Sequence, residues 1–206
     1  MSRAVAFFDF DGTLTYRDTL LPFLRMLRGQ PRFFLDLLTV SPWLTGYGLR
    51  LVKNDKAKQI LLKQSLSCYT IDELEKHGKQ FAEQYLPGMI RPDVFERLQM
   101  HQHNGDLCVL VSASLDIYLK PWISDNDIDY FITSSLETGA DCKVTGQLDG
   151  GNCYGDEKVK RMRDLIQEIG IPAKTYAYGN SRGDIPMLKF VDEGFWVEGK
   201  ITRFNA

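Results

Sequence analysis

The chain has 206 residues, of which 44% are hydrophobic and 25% are charged, and its formal net charge is −2. This balance is typical of a folded protein with one sizeable core and excludes a disordered chain. It also argues against a nucleic-acid-binding protein, because phosphate-backbone affinity requires clustered Lys and Arg. The four cysteines form no CxxC pair, and the N-terminus has no signal-peptide pattern. We therefore expect a cytoplasmic protein with reduced thiols.

Short apolar runs predict the strands of the fold. In chain order these runs cover residues 4–8, 107–111, 130–133, 175–178 and 195–197. Amphipathic patterns predict helices over 91–103, 115–124 and 156–169, the last ending before Gly170. Alternating strands and helices predict an α/β protein with a Rossmann-like parallel sheet flanked by helices. Several glycines within 139–154 predict a β-hairpin excursion from this core.

The stretch from residue 16 to residue 86 interrupts this alternation. It contains no convincing strand, and its pattern favours several helices, the last over 72–86. About seventy residues are far more than a connection between a strand and a helix needs. We therefore predict a helical cap at residues 16–86, inserted into a core formed by residues 1–15 and 87–206.

The cap contains an unusually apolar run at residues 33–52. Asp36, Pro42 and Arg50 interrupt the run, which makes it a poor transmembrane helix. Three interpretations stay open for it: ordinary packing of the cap, an apolar substrate pocket, or a shallow lipid-facing surface.

Polar residues follow three of the predicted strands. Ligands of an open parallel sheet bind outside the carboxyl ends of its strands. The polar clusters are Asp9 to Thr15 after the first strand, Ser112 to Ser114 after the second, and Gly179 to Asp184 after the fourth; Lys158 lies near the start of the helix before the last cluster. We expect these carboxylates, hydroxyls, amide and ammonium to converge at one edge of the sheet.

These clusters resemble all four motifs of the haloacid dehalogenase superfamily, in order. Asp9 to Thr15 is similar to motif one (DxDGT), Ser112 to motif two, Lys158 to motif three and Gly179 to Asp184 to motif four. The position of the helical insertion resembles subfamily IB, the phosphoserine phosphatase-like group with a C1 cap. The resemblance implies a phosphomonoester phosphatase that acts through an aspartyl-phosphate.

The resemblance also implies a role for each residue. Asp9 is the expected nucleophile. Asp11 is the expected general acid, and then the base that activates water. Ser112 and Lys158 are expected to bind the transferring phosphoryl group. The residues expected to contact substrate or phosphate are Gly12, Thr13, Asp18, Ala113 and Ser114.

Mg²⁺ is the cofactor that the resemblance implies. Its expected ligands are Asp9, the carbonyl of Asp11, Asn180 and Asp184. Many members of the superfamily have Gly-Asp at the start of motif four, where this chain has Gly179-Asn180. An amide oxygen can bind Mg²⁺ but brings no charge, so we expect weaker metal binding unless Asp184 contributes directly or through water.

The substrate stays open at this stage. Asp18 is seven residues past Asp11, where similar phosphoserine phosphatases have an acidic residue that binds the amine of the substrate. Phosphoserine is one candidate. A phospholipid head group such as phosphatidylglycerophosphate is another, because the cap is apolar and some similar proteins with a helical cap act on it. Histidinol phosphate and other small metabolites also stay open. A phosphomutase and a non-catalytic phosphate-binding module are the alternatives to a hydrolase, and the oligomeric state is open.

Overall fold

The computed structural model describes residues 2–49 and 51–205, and its central element is a seven-stranded sheet. The strands are β1 (Val5–Phe8), β2 (Leu107–Leu115), β3 (Tyr130–Thr138), β4 (Val144–Asp149), β5 (Thr175–Gly179), β6 (Glu193–Glu198) and β7 (Lys200–Arg203). Their order across the sheet is β4-β3-β2-β1-β5-β6-β7. The five inner strands are parallel, and β4 and β7 are antiparallel to their neighbours at the two edges.

Helices cover both faces of this sheet. They are α1 (Leu20–Arg28), α2 (Gln30–Gly48), α3 (Asn54–Leu66), α4 (Ile71–Gln84), α5 (Pro92–His103), α6 (Asp116–Asp125), α7 (Asp156–Ile169) and α8 (Ile185–Phe190). The α/β fold class with a helical insertion is therefore confirmed. The helices α1 to α4 lie within the predicted cap, but the boundaries of core and cap stay a prediction.

The apolar runs form strands that are buried on both faces. All four residues of β1 are buried, with Ala6 and Phe8 in the core on one side of the sheet and Val5 and Phe7 in the core on the other. Alternate residues of a strand point to opposite faces, so a continuous apolar run suits a strand covered by helices on both sides. The sheet is thus a rigid platform at whose carboxyl edge loops can position side chains.

The hairpin differs in detail from the prediction. Strand β3 continues to Thr138, well beyond the predicted end at residue 133, and its outer half pairs with β4. The hairpin is therefore formed by the extension of β3 and by β4, with the turn between them at 139–143. The hairpin packs on α3, where Gly146 has a φ of +82° and a Cβ atom would clash with the backbone of Lys63.

Two short elements near the C-terminus were not predicted. Strand β7 has four residues and α8 has six, too few to show a clear hydrophobic period.

The position of one histidine corrects an expectation. The spacing of His101 and His103 predicts surface or capping roles for both, and His103 is exposed. His101, however, is buried; its Nδ1 lies 2.7 Å from Asp106 Oδ2 and its Nε2 lies 3.0 Å from the Tyr178 hydroxyl. Helical periodicity explains the burial of His101, because this residue lies one turn beyond Leu98 on the inner face of α5.

Two further features bear on the predicted compartment and on membrane contact. All four cysteines are free thiols. Within residues 2–49 and 51–205, no helix combines the length and the apolar character that a bilayer-spanning segment needs.

Candidate active site

A cavity of about 550 Å³ lies at the carboxyl ends of β1, β2 and β5. Nearly all the residues predicted from the sequence line it: Asp9, Asp11, Gly12, Asp18, Ser112, Ala113, Ser114, Lys158, Asn180 and Asp184. The exception is Thr13, which is fully buried and does not line the cavity. The fold thus brings together segments that are up to 175 residues apart in the sequence.

The loop after β1 turns sharply beneath the cavity. The backbone N–H of Asp9 donates to the carbonyl of Tyr178 at 3.0 Å, which extends the pairing of β1 with β5 by one residue. The chain then turns at Gly12, whose φ is +77°. A Cβ atom at this position would clash with the side-chain amide of Asn180, so the turn requires glycine both for its conformation and for its space.

Lys158 connects two carboxylates at the floor of the cavity. Its Nζ donates to Asp9 Oδ1 and to Asp184 Oδ1, each at 2.6 Å, and to the carbonyl of Val111 at 2.9 Å. These partners come from the end of β1, from the middle of β2 and from the loop before α8. The three protons of the ammonium are therefore all used, which fixes its position.

The ion pair leaves an excess of negative charge. Burial and the charge of Asp184 raise the pKa of Asp9 to about 7, although Lys158 acts in the opposite direction. Burial disfavours the charge of Lys158, but the two carboxylates outweigh it and raise the pKa of the ammonium above its usual range. One buried cation thus faces two carboxylates, and a third, that of Asp11, lies nearby.

Asp11 is held by hydroxyl and amide donors. Its Oδ1 accepts from the Thr19 backbone N–H at 2.9 Å and from the Thr19 hydroxyl at 2.6 Å, and its Oδ2 accepts from the Ser114 hydroxyl. Burial and the charge of Asp18 raise the pKa of Asp11 to about 6, against these hydrogen bonds, which favour the ionised form. Asp11 is therefore poised to exchange a proton near neutral pH.

The hydroxyl of Ser114 does not face the cavity as a free donor, since Asp11 accepts its proton. Ser112 differs: its Oγ accepts from the Ser114 backbone N–H at 3.0 Å. Among the residues that the structure describes, no acceptor takes the Ser112 hydroxyl proton. Ser112 can therefore donate to a bound anion, whereas Ser114 orients Asp11.

Thr13 connects the first and last motifs from below. Its hydroxyl lies 3.0 Å from Asp9 Oδ2 and 3.3 Å from Asn180 Oδ1. The contact with phosphate expected for Thr13 stays a prediction, but the hydroxyl itself is bonded within the protein. Asp9 and Asn180 consequently present oxygens on either side of one hydroxyl.

Asp184 supports the last loop as well as Lys158. Its Oδ2 accepts from the Ser181 hydroxyl at 2.7 Å and from the backbone N–H groups of Ser181 and Asn180 at 2.9 and 3.2 Å. Both of its oxygens thus have protein donors. This arrangement favours contact with a metal through water over direct ligation.

The oxygens near Asp9 fit a hard cation. Within the parts of the chain that the structure describes, no group of three His, Cys, Asp or Glu side chains is arranged to hold a metal by itself. A site here therefore needs the amide oxygen of Asn180 and the carbonyl of Asp11 beside the Asp9 carboxylate. Carboxylate, amide and carbonyl oxygens suit Mg²⁺, and the excess of buried negative charge favours a cation.

Lys58 is a lining residue that the sequence analysis did not identify. It belongs to α3, and its Nζ donates to the carbonyl of Ala113 and, at 2.9 Å, to Asn152 Oδ1. Burial lowers its pKa to about 8. No motif marks this lysine, because it is one of several along an amphipathic helix.

Asn152 connects the inserted helices to the sheet. Its Nδ2 donates to Asn54 Oδ1 at 2.9 Å and to Asp55 Oδ1 at 3.0 Å, while its Oδ1 accepts from Lys58. The first turns of α3 are thereby fixed above the cavity. This contact was also missed, since nothing in the sequence pairs residues almost a hundred positions apart.

Comparison with known proteins identifies the class. The model of the haloacid dehalogenase-like hydrolase family matches residues 6–189. The chain belongs to this family, which confirms the family resemblance of its four sequence motifs. It is accordingly an enzyme of the hydrolase class, and the relatives with a named activity are phosphatases.

Three proteins illustrate what the chain is similar to. It is 34% identical to Protein CicA of Caulobacter vibrioides over 90% of this chain and 82% of that protein. It is 30% identical to a histidinol-phosphatase of Neisseria meningitidis over 62% of this chain and 60% of that protein. A solved phosphoserine phosphatase, with an analogue of its phospho-aspartyl intermediate, shares the fold at a TM-score of 0.65 and 19% identity, covering 94% and 86% of the two chains.

Proposed function

We propose that the protein is a Mg²⁺-dependent phosphomonoester phosphatase that acts through an aspartyl-phosphate at Asp9. The observation that supports this most strongly is the buried ammonium of Lys158 between Asp9 and Asp184 at the floor of the cavity. The family and the solved neighbour with a phospho-aspartyl analogue support the same reaction.

Asp9 attacks the phosphorus atom in this proposal. An anionic nucleophile and an anionic phosphate repel each other by about 4 kcal/mol per charge pair at 4 Å and an effective dielectric near 20. Lys158 offsets this repulsion as a fixed point charge, and Ser112 donates a hydrogen bond to a phosphoryl oxygen. Because Lys158 already contacts Asp9, the nucleophile is held in place before substrate binds.

Asp11 moves the protons. In the first step its protonated carboxyl gives a proton to the oxygen that leaves phosphorus, and in the second step its carboxylate takes a proton from the attacking water. A pKa of about 6 suits both tasks near neutral pH. Thr19 and Ser114 hold the carboxyl in position, and the buried Tyr118 hydroxyl lies 3.3 Å from the Thr19 hydroxyl.

Asp9, the carbonyl of Asp11 and Asn180 would hold Mg²⁺, with Asp184 acting through water. When bound, the metal would neutralise charge on the phosphoryl oxygens and orient the phosphate for attack by Asp9. Thr13 positions the Asp9 and Asn180 oxygens through its shared hydroxyl.

The proposed substrate is a small phosphomonoester whose organic part carries an ammonium group. Asp18 is exposed and lines the cavity, where its carboxylate can bind an ammonium, and Lys58 lines the same cavity. Phosphoserine and histidinol phosphate both have such an ammonium, and a named relative acts on the latter. We place the protein in the cytoplasm, which its free thiols support.

Phosphate release from a panel of phosphomonoesters tests the proposal. The panel contains phosphoserine, histidinol phosphate, sugar phosphates and phosphatidylglycerophosphate in detergent, with Mg²⁺ and with chelator. We expect release that chelator stops, and none from Asp9→Asn, whereas the exposed Asp164→Asn control stays active. Chelator-resistant release, or a persistent phosphoenzyme that transfers to a second substrate, would contradict a Mg²⁺-dependent hydrolase.

A further inference from the structure

The outer face of α2 is apolar although it is exposed. Phe34, Leu35 and Leu38 are exposed, Leu38 to 71%, and Pro42 is exposed one turn further. At 3.6 residues per turn these positions lie within an arc of about 100° around the helix axis. The opposite face, which includes Phe33, is buried. A surface helix is normally polar on its outer side, so an exposed apolar face of this kind is unusual.

The apolar face is also free of charge. Between Phe33 and Gly48 the sequence has one charged residue, Asp36. Asp36 is buried and accepts from Arg28 Nε at 2.8 Å, so it does not reach the outer surface. Exposed apolar residues continue beyond the helix at Leu49 and Leu51. Exposed apolar residues grouped on one helix face are typical of an interaction surface.

Basic residues are frequent in the sequence around α2. From Arg17 to Lys56 the sequence has seven Lys and Arg against three Asp, a net charge of +4, whereas the rest of the chain carries −6. Arg25, Arg32 and Lys53 are exposed, and in the sequence they stand before and after the apolar residues. This segment thus combines an exposed apolar face with a net positive charge, on a protein that is otherwise negative.

We propose that the outer face of α2, formed by Phe34, Leu35, Leu38 and Pro42, docks on an anionic lipid bilayer. A helix with this pattern lies in the membrane plane, with its apolar side chains at the boundary of head groups and acyl chains. Its basic neighbours contact the anionic head groups. The helix is 19 residues long and does not span the bilayer.

The net positive charge of this segment favours a membrane over a second copy of the chain. In a symmetric dimer the same patch meets itself, so the positive segment of one copy would meet that of the other. Like charges in such an interface repel each other. An anionic bilayer both buries the apolar side chains and attracts the basic residues.

Co-sedimentation with vesicles tests this docking without any substrate. The vesicles are phosphatidylcholine alone and phosphatidylcholine mixed with phosphatidylglycerol. We expect the full chain to bind the anionic vesicles more tightly than the neutral ones. Leu38→Glu should weaken binding roughly tenfold or more, and Arg32→Ser about fivefold on anionic vesicles only.

The matched control is Ile171→Glu, which places the same charge at an apolar residue that is 87% exposed outside the inserted helices. This variant should bind like the unchanged protein. Because Leu38 and Ile171 are both exposed, thermal melts should show that both variants stay folded. Failure of the unchanged protein to bind, or an equal loss in both variants, overturns the proposal. A dimer that Leu38→Glu dissociates, without vesicle binding, also overturns it in favour of self-association.

Discussion

The ammonium of Lys158 lies 2.6 Å from the carboxylate of Asp9, and both groups are buried. The same ammonium contacts Asp184, so one cation stabilises two buried anions from different loops. A buried ion pair contributes little when it is replaced as a whole, but loss of one partner leaves an uncompensated charge. The arrangement therefore links stability and catalysis through one side chain.

Replacement of this side chain should affect both properties. Lys158→Met keeps much of the volume but leaves Asp9 and Asp184 without their cation, so we expect a loss of about 3–5 kcal/mol in the free energy of unfolding. Because protonation of the carboxylates relieves this cost, the loss should be larger at about pH 8 than at about pH 5. Urea unfolding at both pH values measures it.

The control for this variant is Lys160→Met, two residues along α7, whose side chain is 70% exposed. It should change stability by no more than about 0.5 kcal/mol. Similar destabilisation by the two variants would show that the buried ion pair has no special role.

Asp9→Asn should separate catalysis from stability. The folded-state pKa of Asp9, about 7, lies above its ordinary value of 3.8. Asp9 therefore costs stability progressively as the pH rises from about 3.8 through its folded-state pKa of about 7, and the amide has no such cost. We expect metal-free Asp9→Asn to unfold at an equal or higher urea concentration at about pH 8, while kcat falls by roughly 10⁴-fold or more. A clearly less stable variant would contradict the assigned charge state.

Two variants should move the pH dependence of the first step in opposite directions. The charge of Asp18 raises the pKa of Asp11 above its ordinary value, and the hydrogen bonds from Thr19 lower it. Since the general acid must be protonated, the first step slows as the pH rises through the pKa of Asp11. Asp18→Asn should shift this decline to lower pH, and Thr19→Val should shift it to higher pH. The burst of leaving-group release, measured across pH with saturating Mg²⁺, tests both; shifts in one direction would exclude Asp11 as the acid.

Asn180→Asp should strengthen metal binding. The new carboxylate lies beside the oxygens proposed for Mg²⁺ and adds a charge, so we expect about tenfold tighter Mg²⁺ binding by calorimetric titration. Asn104→Asp makes the same chemical change at an exposed position far along the chain and should leave the affinity unchanged. Unchanged affinity in both variants would remove Asn180 from the metal site.

Local sequence patterns predicted the core of this fold well. The run at residues 4–8 and the pattern at residues 156–169 correspond closely to β1 and α7, because continuous apolar runs and helical periods are local signals. The length of β3 was missed, since its outer half depends on pairing with β4 across a turn. His101 was missed because one polar residue within an apolar period gives no sign of its distant partner Tyr178.

The residues of the candidate site were also only partly predictable from the sequence. Motif residues such as Asp9 and Asp184 follow strands and could be placed at one edge of the sheet from the sequence. Lys58 and Asn152 could not, because their contact depends on how the inserted helices pack above the sheet. The sequence also does not show that Ser114 donates to Asp11 and that Thr13 donates to Asp9, because both hydrogen bonds depend on the geometry of the loops.

The central claim is that Asp9 becomes covalently phosphorylated during turnover. The most direct measurement is acid quenching of the protein during hydrolysis of a chromogenic phosphomonoester with Mg²⁺, followed by borohydride reduction and peptide mass spectrometry. An aspartyl-phosphate is reduced to homoserine, so we expect homoserine at position 9 and none when the substrate is left out. Turnover with no modification at position 9, together with an active Asp9→Asn variant, would contradict the account.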